Sequence, residues 1–130
     1  MTVAYWCILI AAALPYVWVS FAKCGAAEYN NKNPRGWLAS QDSDRVRNAN
    51  AAHLNAFEAF PAFAAGVLMA QFAGVDPGRI SMLAMTFVAL RIFHGIFYLT
   101  GTQALRSIVW LGGFASVLGL MALAALKVAG

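Results

Sequence analysis

Acidic side chains are scarce in this chain: five Asp and Glu stand against nine Lys and Arg in 130 residues, and charged residues of all kinds make up 11%. An ordinary soluble domain is about 25% charged and roughly half apolar. With 62% of its residues hydrophobic, this chain has too little polar surface to clothe a water-soluble fold. Disorder is excluded on the same ground, because it requires low hydrophobicity. The two cysteines, Cys7 and Cys24, form no CxxC pair and no disulfide framework, and both are expected to be small buried apolar residues. A dinucleotide fingerprint, a P-loop, zinc-ligand spacing and a nucleophile elbow are all missing, so no metal is expected. The net charge of +4 would hint at nucleic acid in a soluble protein. In so apolar a chain it fits basic residues on cytoplasmic loops instead, and no nucleic-acid partner is expected.

What is present is a series of long apolar blocks, each near the ~20 residues that cross a bilayer. The first, about 1–22, carries no charge before Lys23. It therefore lacks the basic leader of a cleaved signal peptide and reads as a permanent span. Further spans are expected over about 46–73, 80–98 and 104–128. The connection 23–44 between the first two blocks is polar and rich in turn formers (Asn30, Asn31, Asn33, Pro34, Gly36). Ser43 or Asp44 is expected to cap the helix that follows. Gly74, Asp76, Pro77 and Gly78 make the next turn. The whole reads as one all-α membrane domain, 1–130, built as a four-transmembrane-helix bundle. Gly112, Ser116 and Gly119 form a small-residue stripe that lets helices approach closely.

Counting basic residues sets the orientation. Lys23, Lys32, Arg35, Arg45, Arg47 and Arg106 fall on one side, Arg79 and Lys127 on the other. The long loop 23–44 is thus expected in the cytoplasm and both termini on the non-cytoplasmic side, as in a bacterial inner membrane.

Polar residues within spans are costly and usually functional. At 3.6 residues per turn, Arg47, Asn48, Asn55 and Glu58 fall within about 100° of one another and climb ~16 Å along their helix. His53 and Arg45 point elsewhere. On the third block Arg91, His94 and Tyr98 share a face, and Arg106 and Ser107 open the fourth on the same side. Glu58 and Arg91 are the expected ion pair. This collection suits a zwitterionic or anionic ligand reached from the cytoplasm.

The run His53-Leu54-Asn55-Ala56-Phe57-Glu58, followed by Pro61 and Phe63, resembles the second-helix signature of the MAPEG family, the membrane-associated proteins of eicosanoid and glutathione metabolism. Arg91-x-x-His94-x-x-x-Tyr98, then Arg106-Ser107, is similar to the pattern of its prostaglandin-synthase-type members. The resemblance covers nearly the whole chain. It implies a homotrimer with glutathione bound between subunits, and a glutathione-dependent transferase or peroxidase acting on a lipophilic small-molecule electrophile drawn from membrane lipid. Asn55, Glu58, His94 and Tyr98 would correspond to glutathione contacts, with Arg47 and Arg91 holding its carboxylates. Arg106 would correspond to the arginine that stabilises the thiolate, and Ser107 to a neighbouring hydrogen-bond donor. An adjacent guanidinium lowers a thiol's pKa from about 8.5 and raises the reactive fraction. Ala51 stands where conjugating members generally carry an arginine. Either Arg47, one turn nearer the cytoplasm, takes its place, or the ligand is another thiol or anion. The alternative function is a non-catalytic membrane protein of the same scaffold that binds lipid or a small anion.

Overall fold

The computed structural model describes residues 1–24 and 28–130. Part of the expected long connection, 25–27, lies outside the described residues. Five helices follow one another: α1 (Thr2–Lys23), α2 (Pro34–Ala39), α3 (Asp44–Phe72), α4 (Pro77–Thr100) and α5 (Gln103–Ala129), with no strand among the described residues.

Local chemistry explains where the helices start and stop. Asn33 caps α2, its Oδ1 accepting from the Gly36 amide at 3.1 Å, and Pro34 opens the first turn. Asp76 caps α4 in the same way, accepting from the Arg79 amide at 3.0 Å ahead of Pro77. Gly101 ends α4 at φ 72°, a left-handed conformation that costs glycine nothing. Ser43 is the N-cap residue of α3 but makes no side-chain cap bond, and Asp44 lies in the first turn. Helix α2 is an addition to the expected irregular loop. Its Trp37 is buried with Ala22, Val46 and Ala49, which ties the loop to α1 and α3.

Three helices are long and apolar enough to cross a membrane: α1, α4 and α5. This differs from the four expected spans. Helix α3 is the longest element at 29 residues, but Arg45, Arg47, Asn48, Asn50, His53, Asn55 and Glu58 make its first half polar. Its second half, from Phe60, is apolar.

Helix α3 packs against α1, α4 and α5, while α4 touches α1 and α5. Lipid tails are as apolar as leucine, so close packing rather than water expulsion holds such helices together. At the core Phe63 and Phe87 stack with centroids 4.0 Å apart, beside fully buried Val67, Ile80 and Leu120. The small-residue stripe lies at the α4–α5 contact: Gly112 faces Leu90, Gly119 faces Leu83, and Ser116 donates to the Gly112 carbonyl at 3.0 Å. Large apolar residues such as Trp6, Leu9, Phe72 and Leu126 remain exposed, as lipid-facing positions do. Of the two cysteines expected to be buried, Cys7 is; Cys24, at the end of α1 where the polar loop begins, is exposed.

Candidate functional site

Two adjoining crevices open where α3, α4 and α5 meet at the end of the bundle near the polar loop. The polar one, about 360 Å³, is lined by Asn55, His94, Tyr98, Arg106, Ser107, Trp110 and Leu111. The second, about 230 Å³, is lined by Asn55, Glu58, Ala59, Ala62, Phe87, Arg91, Trp110, Phe114 and Val117. They share Asn55 and Trp110. Together they reach the ~300–1,000 Å³ typical of small-molecule sites.

Each polar side chain is placed by its helix register. Arg91 is only 4% exposed, and its Nη2 donates to Asn55 Oδ1 at 2.7 Å, linking α4 to α3. The expected Glu58–Arg91 ion pair is not formed. The amide of Asn55, one turn before Glu58, takes the guanidinium, and Glu58 stays exposed at the edge of the second crevice. His94, 3% exposed, lies one turn from Arg91 and meets Tyr98 edge-on, ring centroids 5.1 Å apart. Its Nδ1 is enclosed without a hydrogen-bond partner among the described residues. Buried polar atoms are rarely left so. The Arg106 guanidinium sits over the Tyr98 ring at 4.2 Å, a cation–π contact that holds the charge at the polar crevice. Ser107 Oγ donates to the Gln103 carbonyl at 3.1 Å, so the hydroxyl expected as a donor presents an acceptor oxygen here.

Arg47 is the expected site residue that this arrangement leaves out. It is exposed and paired with Asp44 in the first turn of α3, the one ion pair among the described residues, and it borders neither crevice. A side chain at the solvated start of a helix meets the nearest carboxylate before it reaches along the rod. His53 turns away, as its register requires, and its Nδ1 donates to the Pro15 carbonyl of α1 at 2.6 Å. Trp110 was not among the expected residues. Its position four after Arg106, hence on the same face of α5, was the available signal. No group of His, Cys, Asp and Glu suited to a metal occurs among the described residues.

Chemically, the polar crevice offers one guanidinium, an imidazole, a phenol, an amide and a hydroxyl. Such a set is chemically able to pair with an anion carrying several hydrogen-bonding groups, and a negative charge near Arg106 would be favoured. The second crevice is mostly apolar. No curated protein and no solved structure matches the chain. The sequence profile of the MAPEG family matches residues 3–126, from the first turn of α1 to the last turn of α5, and so takes in every helix that builds the crevices; the chain is an integral membrane protein of the MAPEG family.

Proposed function

We propose that this protein is a membrane glutathione-dependent transferase or peroxidase, with glutathione as thiol co-substrate in the polar crevice and a lipophilic electrophile as the second reactant. One observation carries the reading: Asn55, His94, Tyr98, Arg106 and Ser107, drawn from three helices, border a single opening in an otherwise apolar bundle. Arg106, steadied by Tyr98, is placed to lower the thiol pKa by stabilising the thiolate. Asn55 and the nearby Arg91 offer contacts to the peptide and its carboxylates. The protomer leaves the polar crevice open at its surface, which suits completion by neighbouring copies in a homotrimer. In this reading α3 is a fourth span whose polar face turns toward the site. The polar loop and the crevice mouth lie in the cytoplasm, both termini on the other side, of a membrane such as the bacterial inner membrane.

A second reading, a non-catalytic scaffold binding lipid or a small anion, is favoured by one detail: Ala51 and the Asp44-paired Arg47 leave the polar crevice without the extra arginine. Ligand-induced stabilisation separates the two. A ligand that binds only the folded state raises the melting temperature by mass action. Glutathione is expected to do so in detergent, and turnover of thiol with an aryl halide is expected to fall at least tenfold in Arg106→Ala with the fold retained. A shift with anionic lipid and none with glutathione would establish the scaffold reading instead.

A further inference from the structure

We propose that Trp18 of α1, which borders neither crevice, is a positioning residue for Arg106 of α5: it backs the Tyr98 ring on which the guanidinium rests. The geometry stands without any ligand; its consequence, a better-stabilised thiolate, rests on the glutathione reading.

The chain of contacts crosses the bundle. Trp18 is 5% exposed and belongs to a buried cluster with Leu14 of the same helix and Ala52 and Ala56 of α3. Its indole occupies the space a Cβ on Gly95 would take, so the ring presses on bare backbone of α4. Gly95, Tyr98 and Leu99 follow at i, i+3 and i+4 and share one face of α4. Tyr98 and Leu99 both pack against the Trp18 cluster. In that cluster the two alanines contribute a methyl each, and the indole supplies the largest surface. Tyr98 is only half-buried, because it also lines the polar crevice. There the Arg106 guanidinium lies 4.2 Å from the ring centroid, and the buried His94 imidazole meets the same ring edge-on.

The ring is what fixes the cation. No carboxylate pairs with Arg106 among the described residues. A cation–π contact is weak, no larger than the rotamer entropy an arginine gives up when it is held. Such a contact localises the charge only on an immobile ring, since a tyrosine free to change rotamer would carry the guanidinium with it. Packing on the Trp18 cluster removes that freedom from the side of the ring opposite the cation.

The test compares the parent with Trp18→Leu, which removes the aromatic wall, and Trp18→Phe, which keeps a smaller one. Phenylglyoxal modifies guanidinium groups and so reads Arg106 without any thiol. Peptide mass spectrometry follows its modification against that of exposed Arg79 in the same molecule. The Arg106-to-Arg79 ratio is expected to rise about threefold in Trp18→Leu, the change in population that losing a weak cation–π contact gives. A smaller rise is expected in Trp18→Phe, which carries the same reading where Trp18→Leu does not stay folded. Turnover of glutathione with an aryl halide reads the consequence: the pH of half-maximal rate at saturating glutathione should move upward, because a less stabilised thiolate needs a higher pH to form. In a Tyr98→Leu background, Trp18→Leu should leave both readouts where Tyr98→Leu alone puts them, while still lowering the melting temperature. An unchanged Arg106 ratio in the folded Trp18 variants overturns the proposal. So does an equal effect without the Tyr98 ring, which would make Trp18 a structural residue only. If the ratio responds as described but glutathione neither stabilises nor reacts with the parent, the positioning stands and the transferase reading falls.

Discussion

A buried arginine is the residue on which the site's stability turns. Arg91 sits among apolar neighbours with the Asn55 amide as its hydrogen-bond partner. Deleting one partner of such a pair is worse than deleting the charge, because the charge is then left uncompensated where water is scarce. Asn55→Ala is therefore expected to cost about 2 kcal/mol, in the range of hydrogen bonds to charged groups. Arg91→Met, which keeps the length and loses the charge, should cost less. Melting temperatures of the purified proteins in one detergent check the order; equal losses, or a larger loss for Arg91→Met, would show that the guanidinium has another partner. At this scale the sequence was informative about faces and poor about reach. The spacing of Arg91, His94 and Tyr98 follows from helical geometry; His94 and Tyr98 meet edge-on at the polar crevice, and Arg91 borders the adjoining one. Which atom Arg91 touches depends on the relative height of α3 and α4, and a difference of one turn exchanges Glu58 for Asn55. Trp110 was not legible as a site residue because an aromatic residue in an apolar span resembles any lipid-facing residue.

At the scale of elements, α1 and α4 are held together next to the site by a single absent side chain. Trp18 of α1 is buried with Leu14, Ala52 and Ala56, and its indole lies where a Cβ on Gly95 would be. Gly95 follows His94, so a displaced α4 would carry the imidazole with it. Gly95→Ala is expected to destabilise by about 1–3 kcal/mol, the usual cost of overpacking, and Trp18→Phe in that background should recover part of the loss. Gly119→Ala is the contrast: its Cβ would meet Leu83 at 3.7 Å, an ordinary contact, and it should be tolerated. Thermal unfolding of the parent, Gly95→Ala, Trp18→Phe, their double variant and Gly119→Ala decides, and additive losses in the Gly95–Trp18 pair would refute direct contact. Helices α1, α4 and α5 were legible because long apolar runs with few charges are separated by turn formers such as Gly74–Gly78 and Gly101. Helix α2 was not, since six residues carry too short a pattern and the Asn33 cap reads equally well as a turn. Helix α3 agrees in extent with the span expected over 46–73, but its polar half, which serves the crevices and the His53–Pro15 link, keeps it out of the helices apolar enough to cross a membrane.

For the whole molecule, the arrangement of charge decides which way the bundle faces, and with it whether a cytoplasmic thiol can enter the crevice. Lys23, Lys32, Arg35, Arg45, Arg47 and Arg106 flank one end, Arg79 and Lys127 the other, an excess of four basic residues. Holding a unit charge on the negative side of a membrane is worth about 2.3 kcal/mol per 100 mV, and acidic residues contribute little to the bias. The end carrying the crevice is therefore expected in the cytoplasm. The two cysteines make a built-in probe. Cys24 is exposed beside Arg45, whose Nη2 donates to its carbonyl at 3.3 Å, and Cys7 is buried in α1. A membrane-impermeant maleimide should label the protein in inside-out bacterial vesicles and fail to do so in right-side-out ones. Cys24→Ser should abolish the labelling while Cys7 stays silent until the protein is denatured. Labelling from the outer face alone would invert the bundle, place the Arg106 crevice away from the cytoplasmic thiol pool, and remove the physical basis for a glutathione co-substrate.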